Sequence, residues 1–266
     1  MITIATDFGT PYPAAMKGVL LQRTDARLVD VAHDFPRQDV RAAAFWLREV
    51  LPYFPPATHL VVVDPGVGTD RDTLVLRADE HVLVGPDNGV LVPPARRLAG
   101  TTELEAYGID ERAVSHDGRS GPASNTFHGR DVFAPAAAAV HGTSRDSLES
   151  VAALEATTSY VDLELPSAAV ESDESRAAGD VLAIDDFGNV VTNVPGDFLE
   201  GRSRLVANGE VVPVGETFAS VSIGTRLATV GSHGYVELDV NQGRGDDAFG
   251  LDTGDRVILE GDEREE

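Results

Sequence analysis

At 266 residues the chain suits one large or two modest domains, and its lack of cysteine excludes disulfides, thiolate zinc sites and a cysteine nucleophile. Acidic residues outnumber basic ones 44 to 21, and the formal net charge of −23 argues against a phosphate-binding surface and hence against nucleic acid. The acids are spread along the chain, as on a heavily hydrated surface adapted to high salt, and Lys17 is the one lysine among the basic residues. No apolar run reaches the length of a membrane span, and the start of the chain lacks a basic stretch leading into an apolar one, so a cytoplasmic protein is expected.

In chain order, residues 2–5 predict a short buried strand and residues 14–21 a helix opened by Pro13. Residues 28–31 predict a second strand, residues 40–51 a helix with Trp46 on its apolar side, and residues 59–63 a third strand. Strands alternating with helices predict an α/β domain with a mostly parallel central sheet. Further on, Ser124-Asn125-Thr126-Phe127-His128-Gly129 runs into an alanine-rich helix, which sets His128 at a helix N-terminus. Residues 165–180, rich in serine and acid, predict an exposed linker. Beyond it, β-type runs at 181–184, 211–214 and 235–238 are punctuated by glycine with no clear helical pattern, predicting a smaller all-β, barrel-like domain. The expected plan is an α/β domain over 1–164, a linker over 165–180 and a β domain over 181–266, with 262–266 a frayed acidic end.

Two polar segments follow apolar strands: Thr6-Asp7-Phe8-Gly9, and the stretch from Asp64 through Pro65-Gly66-Val67-Gly68-Thr69-Asp70 to Arg71. Open α/β sheets build their sites at the carboxyl ends of strands, so these and His128 are the candidate site residues. Several matches mislead. Asp7-Phe8-Gly9 and Asp186-Phe187-Gly188 spell the kinase magnesium triplet, but no glycine-rich loop with a strand lysine precedes them. Gly66-Val67-Gly68 lacks the lysine of a P-loop and the spacing of a dinucleotide fingerprint. Asp7, Asp64, Asp87 and His128 offer hard-cation ligands, yet no close-spaced ligand pair supports a metal site.

Seven motifs nevertheless fall in one order. They are Thr6-Asp7-Phe8-Gly9, Met16-Lys17-Gly18-Val19, the Asp64 to Arg71 stretch, Gly85-Pro86-Asp87-Asn88-Gly89, and Thr126-Phe127-His128-Gly129-Arg130-Asp131. The last two are Asp186-Phe187-Gly188-Asn189 through Asn193, and Gly231-Ser232-His233-Gly234-Tyr235 with Val240-Asn241-Gln242-Gly243. From residue 2 to about 258 the chain resembles the S-adenosylmethionine (SAM) hydroxide adenosyltransferases, the adenosine-forming SAM hydrolases related to fluorinase and chlorinase.

The resemblance implies displacement at C5′ of SAM by water or hydroxide, giving adenosine and L-methionine. Asp64, Arg71 and His128 match the family's catalytic set. Asp64 would accept a hydrogen bond from the water, His128 would orient it and help relay its proton, and Arg71 would keep Asp64 ionised. Alone, Asp64 reads as a turn residue, Arg71 as a surface partner of Asp70 or Asp72, and His128 as structural; the joint match outweighs these readings. On the substrate, Asp7 matches the ribose-binding position and Phe187 with Asn189 the adenine pocket, where Phe218 would stack. Asp185 and Ser232 match the methionine end, and Asn241 and Gln242 belong to the last substrate motif. The loop after Gly9 is shorter than the family's and carries no acid, so Tyr12 is a candidate at the methionine end, and His233 stands where the halogenases have arginine. The family further implies a homotrimer with inter-subunit pockets and no metal or separate cofactor, SAM being the substrate. Two rivals are a halogenase of the same family, which lacks the full triad, and a SAM or adenosine sensor without turnover.

Overall fold

The computed structural model describes residues 1–114, 124 and 126–261; Asn125 and the acidic end 262–266 lie outside the described residues. The chain divides into two units, Met1–Glu164 and Leu165–Glu266. No helix among the described residues is long and apolar enough to cross a membrane.

The first unit runs β1 (Ile2–Thr6), α1 (Tyr12–Leu21), β2 (Leu28–Ala32), α2 (Val40–Val50), β3 (Thr58–Val62), β4 (Thr73–Ala78), β5 (His81–Pro86), α3 (Val92–Ala99), β6 (Glu105–Ile109), α4 (Glu111–Val114), α5 (Ala134–His141) and β7 (Leu154–Thr157). Its seven-stranded sheet has the order β2-β1-β3-β5-β4-β6-β7. Strands β2, β1, β3 and β5 are parallel, as the βα alternation requires, and β5, β4, β6 and β7 are antiparallel. The sheet is therefore mixed. The change of direction comes from the tight turn at Asp79 and Glu80, because a two-residue connection can only join antiparallel strands. Asp79 takes the left-handed conformation (φ 54°) that such a turn needs.

Strand side chains alternate between two apolar layers. Ile2, Ile4, Leu60, Val62, Val82 and Val84 pack with Met16 and Leu20 of α1 and with the alanines of α5. Ala5, Val61, Val63 and Leu83 face the other way, against Ala43, Ala44 and Leu47 of α2 and Val92 and Ala95 of α3. Trp46 packs partly buried against this second layer. Helix α2 starts cleanly because the Asp39 carboxylate accepts the Ala42 N–H at 2.9 Å.

The second unit runs β8 (Ala169–Val170), β9 (Arg176–Ile184), β10 (Val190–Pro195), β11 (Arg204–Ala207), β12 (Glu210–Pro213), β13 (Arg226–Val230), β14 (Tyr235–Val240), α6 (Gly245–Phe249) and β15 (Arg256–Gly261). Its strands pair antiparallel in the order β12-β11-β15-β9-β10-β14-β13. The sheet curls until Val214 bridges Ala228, where the Gly215 N–H donates to the Ala228 carbonyl at 3.0 Å, so it is nearly closed and barrel-like. Val181, Val190, Leu205, Val236, Leu238, Val257 and Leu259 fill its interior. The stretch 165–180, expected as a linker, is instead built into this unit. Ala169 and Val170 pair with Ala178 and Ala177, and the polar run between them is a hairpin turn closed by the Glu171 N–H donating to the Arg176 carbonyl at 2.9 Å. Its serines and acids mark a turn, since Ser175 and Asp173 bond each other locally.

Candidate active site

Strand β4 lies beyond β5 in the sheet, so the connection from β3 must pass over the end of β5. That crossing carries Asp64 at its start and Arg71 at its end, and it folds them together. The Arg71 Nε–H donates to Asp64 Oδ1 at 2.8 Å, and Nη2 donates to Oδ2 of the same carboxylate. Gly66 lets the loop run close to this pair, since a Cβ there would lie 3.2 Å from Arg71 Cγ, a tight contact. The side chains of Asp64 and Arg71 are only 5% and 10% exposed. A bidentate pair so dry is much stronger than a surface ion pair. Arg71 also donates from Nη1 to the Asp72 carbonyl at 3.2 Å, and its guanidinium stacks 5.1 Å from the centre of the Phe133 ring.

His128 stands at the start of a π-turn, Gly129–Phe133, that continues into α5. The Arg130 and Asp131 N–H groups both donate to the Phe127 carbonyl at 3.2 Å. Gly129 gives this turn close packing, since a Cβ there would crowd Met16 Sδ at 3.1 Å and Phe127 Cε2 at 3.2 Å. His128 is buried, and its Nδ1 lies 3.1 Å from Arg71 Nη2. A guanidinium can only donate, so Nδ1 accepts and the proton of the neutral ring sits on Nε2. On the same side of the ring, Glu111 Oε1 lies 4.0 Å from Nδ1.

Asp7 follows β1 and is buried; its Oδ2 accepts the Gln38 N–H at 2.6 Å. Gln38 reaches it from a left-handed conformation (φ 62°). Asp7, Asp64 and His128 share a cavity of about 720 Å³, a size that suits a nucleoside-bearing ligand. Its apolar wall is an aromatic trio: Phe8, Tyr12 and Phe127 meet edge to face at centroid distances of 6.2, 6.1 and 5.5 Å. The sequence reading missed Gln38, whose backbone conformation has no residue signature, and Glu111. It gave Phe8 and Phe127 no role, although both stand in the matching motifs.

The remaining candidates lie in the second unit. Asp185, Phe187 and Asn189 form the β9–β10 turn, in which Asp185 Oδ1 accepts the Phe187 and Asn189 N–H groups, both at 2.9 Å. Asp185 Oδ2 accepts from Asn189 Nδ2 at 3.0 Å, so these two polar side chains are bonded to each other. Phe187 projects 77% exposed from the turn, and Phe218, in a short 3-10 turn, is 43% exposed. Ser232 sits exposed in the β13–β14 turn, while Asn241 and Gln242 follow β14 at its other end, where Asn241 Nδ2 donates to the Val221 carbonyl at 2.8 Å. Between those ends, Glu237 and Asp239 are buried on β14. Burial, reinforced by the Asp185 charge, raises the Glu237 carboxyl to about 7, and burial with Glu237 and Asp185 nearby raises Asp239 to about 8. Neither Asp239 oxygen has a hydrogen-bond partner among the described residues.

The four hard-cation candidates do not converge as a ligand set. Asp64 is held by Arg71, and Asp87 turns to the chain, its Oδ1 accepting the Val161 N–H at 2.8 Å, with burial raising its carboxyl. No group of three or more His, Asp or Glu among the described residues is arranged to hold a metal ion.

Comparison with known proteins bears on the whole chain. The family model described as the SAM hydroxide adenosyltransferase N-terminal domain matches residues 2–152, and the model of the C-terminal domain of the same family matches residues 179–258. A protein of Salinispora tropica named (R)-S-adenosyl-L-methionine hydrolase is 40% identical, with 96% of each chain covered. One of the same name from Thermus thermophilus is also 40% identical, over 96% of this chain and 97% of the other. Among solved structures, an uncharacterized conserved protein of Thermotoga maritima superposes with a TM-score of 0.83 at 31% identity, covering 97% of this chain and 99% of that one. A conserved hypothetical protein of Thermus thermophilus gives 0.73 at 34% identity over 97% and 98%.

Proposed function

The chain belongs to the SAM hydroxide adenosyltransferase family, and we propose that it is an enzyme that hydrolyses SAM to adenosine and L-methionine through Asp64, Arg71 and His128. The observation that carries the assignment of residues is that Asp64 and His128, which line one cavity, are both bonded to the Arg71 guanidinium behind them.

The chemistry asks little of the protein beyond placement. The water oxygen forms a bond to C5′ as the C5′–S bond breaks, one water proton is drawn off toward Asp64 and relayed with the help of His128, and the electron pair of the broken bond goes to sulfur, releasing methionine as a neutral thioether. The sulfonium charge vanishes in the transition state, so the site must hold a poorly solvated water in line with the bond that breaks. Asp64 keeps a lone pair on each oxygen beyond those taken by Arg71 and can accept a hydrogen bond from that water. His128 donates to it from Nε2. Arg71 holds both in register. Asp7, anchored by the Gln38 N–H, retains acceptor capacity for the ribose hydroxyls, and the aromatic trio gives the cavity an apolar wall.

In the second unit, Phe187, Asn189 and Phe218 are assigned to adenine, and Asp185 and Ser232, with Asn241 and Gln242, to the rest of the substrate. We infer a homotrimer, in which the second unit of a neighbouring subunit supplies these contacts; the division of the candidate residues between two units supports this reading. SAM is the substrate, with no separate cofactor. The test is to incubate the purified protein with SAM, with EDTA and without halide, and to separate the nucleosides. Adenosine and methionine in equal amounts are expected. A halo-deoxyadenosine formed only with chloride would make it a halogenase, and SAM bound but intact would make it a sensor.

A further inference from the structure

His128 Nδ1 has two neighbours with opposite demands. Arg71 Nη2, at 3.1 Å, can only donate and needs a lone pair there. Glu111 Oε1, at 4.0 Å, can only accept while ionised and needs a proton there. A neutral imidazole satisfies one of them, and its choice fixes the far nitrogen. With Nδ1 facing Arg71, Nε2 bears the proton and the ring meets a water as a donor. With Nδ1–H facing Glu111, Nε2 offers a lone pair and the ring meets the same water as a base.

We propose that Glu111 is a positioning residue that draws the proton of His128 onto Nδ1, converting the ring from a donor into the base that receives the proton of the attacking water. The proposal rests on the hydrolase reading of this site. As the oxygen bonds C5′ and the C5′–S pair leaves with sulfur, one water proton passes to Nε2, and the second stays on the 5′-oxygen of adenosine. The ring is then an imidazolium with Nδ1–H directed at the Glu111 carboxylate. Arg71 gives up its bond to Nδ1 but keeps Asp64 and the Asp72 carbonyl. Without Glu111, the new cation would face only the guanidinium.

The surroundings of Glu111 fit such a role. It begins α4, which follows β6, and its side chain is 30% exposed, free enough to close on the ring. The other charges on the His128 segment are already matched, since Arg130 Nε donates to Asp131 Oδ1 at 2.6 Å. Asp64 reaches the ring only through Arg71. Glu111 is the carboxylate at hand.

Adenosine release by Glu111→Gln and Glu111→Asp, followed across pH, tests the idea. Glu111→Gln should lower kcat about tenfold or more with KM for SAM within twofold, and should move the acid limb of the kcat profile to lower pH. Glu111→Asp should recover part of both. An unchanged kcat, or a loss with the limb in place, would overturn the proposal. A second readout is independent of turnover: the ring ¹⁵N shifts of His128 in Arg71→Met, with and without Glu111→Gln. Removing Arg71 should give the Nδ1–H tautomer, and adding Glu111→Gln should restore Nε2–H; one tautomer in both would contradict the role of Glu111. If the wild type forms no adenosine, the hydrolase reading fails, and the ring shifts still decide the tautomer device.

Discussion

Two buried aspartates in this chain live under opposite conditions. Asp64 in the first unit shares both oxygens with one guanidinium. Asp239 in the second is fully buried, has no hydrogen-bond partner among the described residues, and neighbours the acidic Glu237, so its carboxyl is pushed up to about 8. The same side chain is thus set up as an acceptor bonded at both oxygens in one place and as a neutral acid in the other. Burial alone does not make a reactive carboxylate; burial with a matched donor does. The difference also says where stability is stored, because removing a partner from Asp64 uncovers a buried charge, whereas replacing Asp239 by a side chain that cannot ionise relieves a cost.

The largest expected effect comes from breaking the matched site. Asp64→Ala should lower kcat by about 10²–10⁴-fold and also destabilise the fold by about 3–5 kcal/mol, because Arg71 is left buried without its partner. Calorimetric SAM binding and urea unfolding separate the two losses. His128→Ala sharpens this: a comparable loss of turnover is expected, with SAM binding retained and a smaller stability loss, since no unpaired charge is created.

Asp239→Asn tests the other half of the comparison. The unfolded carboxyl ionises near 3.8 while the folded one holds its proton to about 8. Wild-type stability from this group is therefore present at low pH and lost as pH rises through that window. The variant should gain on the wild type between those values, by at most about 1.4 kcal/mol per pH unit, and the gain should level off above. A constant difference in unfolding free energy at every pH would contradict the buried acid.

At the opposite limb, His59 is fully buried between Thr3 and His81, its Nδ1 2.7 Å from the hydroxyl and its Nε2 2.9 Å from His81 Nδ1. Burial, with His81 and Arg145 adding to it, lowers the ring from 6.5 to about 3. The unfolded ring takes up a proton that the folded one refuses, so stability is full above 6.5 and falls as pH drops toward 3. His59→Gln should flatten that acid limb in thermal melts. The smallest effect is that of salt: with a net charge of −23, raising ionic strength from 0.1 M to 1 M should raise the melting temperature by shortening the screening length from about 10 to about 3 Å. A flat or falling response would remove the reading of a surface adapted to high salt.

Much of the first unit was legible because its signals are local. The apolar run at 2–5 and the helix after Pro13 became β1 and α1, and the strand ends carrying Asp7 and Asp64 open into one cavity. The antiparallel half was not legible, since β4 is reversed against β5 only by the two-residue turn at Asp79 and Glu80 and nothing in β4 or β5 marks direction. The stretch 165–180 misled because a polar run reads alike as linker and as hairpin turn, and the pairing of Ala169 with Ala178 is decided by tertiary contact. Gln38 and Glu111 share this limit: one acts through a backbone N–H and the other through proximity to His128.

Turnover in ¹⁸O-enriched water tests the central account most directly. If water attacks C5′, the label appears in the 5′-oxygen of adenosine and methionine stays unlabelled. Adenosine formed without label, or SAM recovered intact, would contradict hydrolysis at C5′.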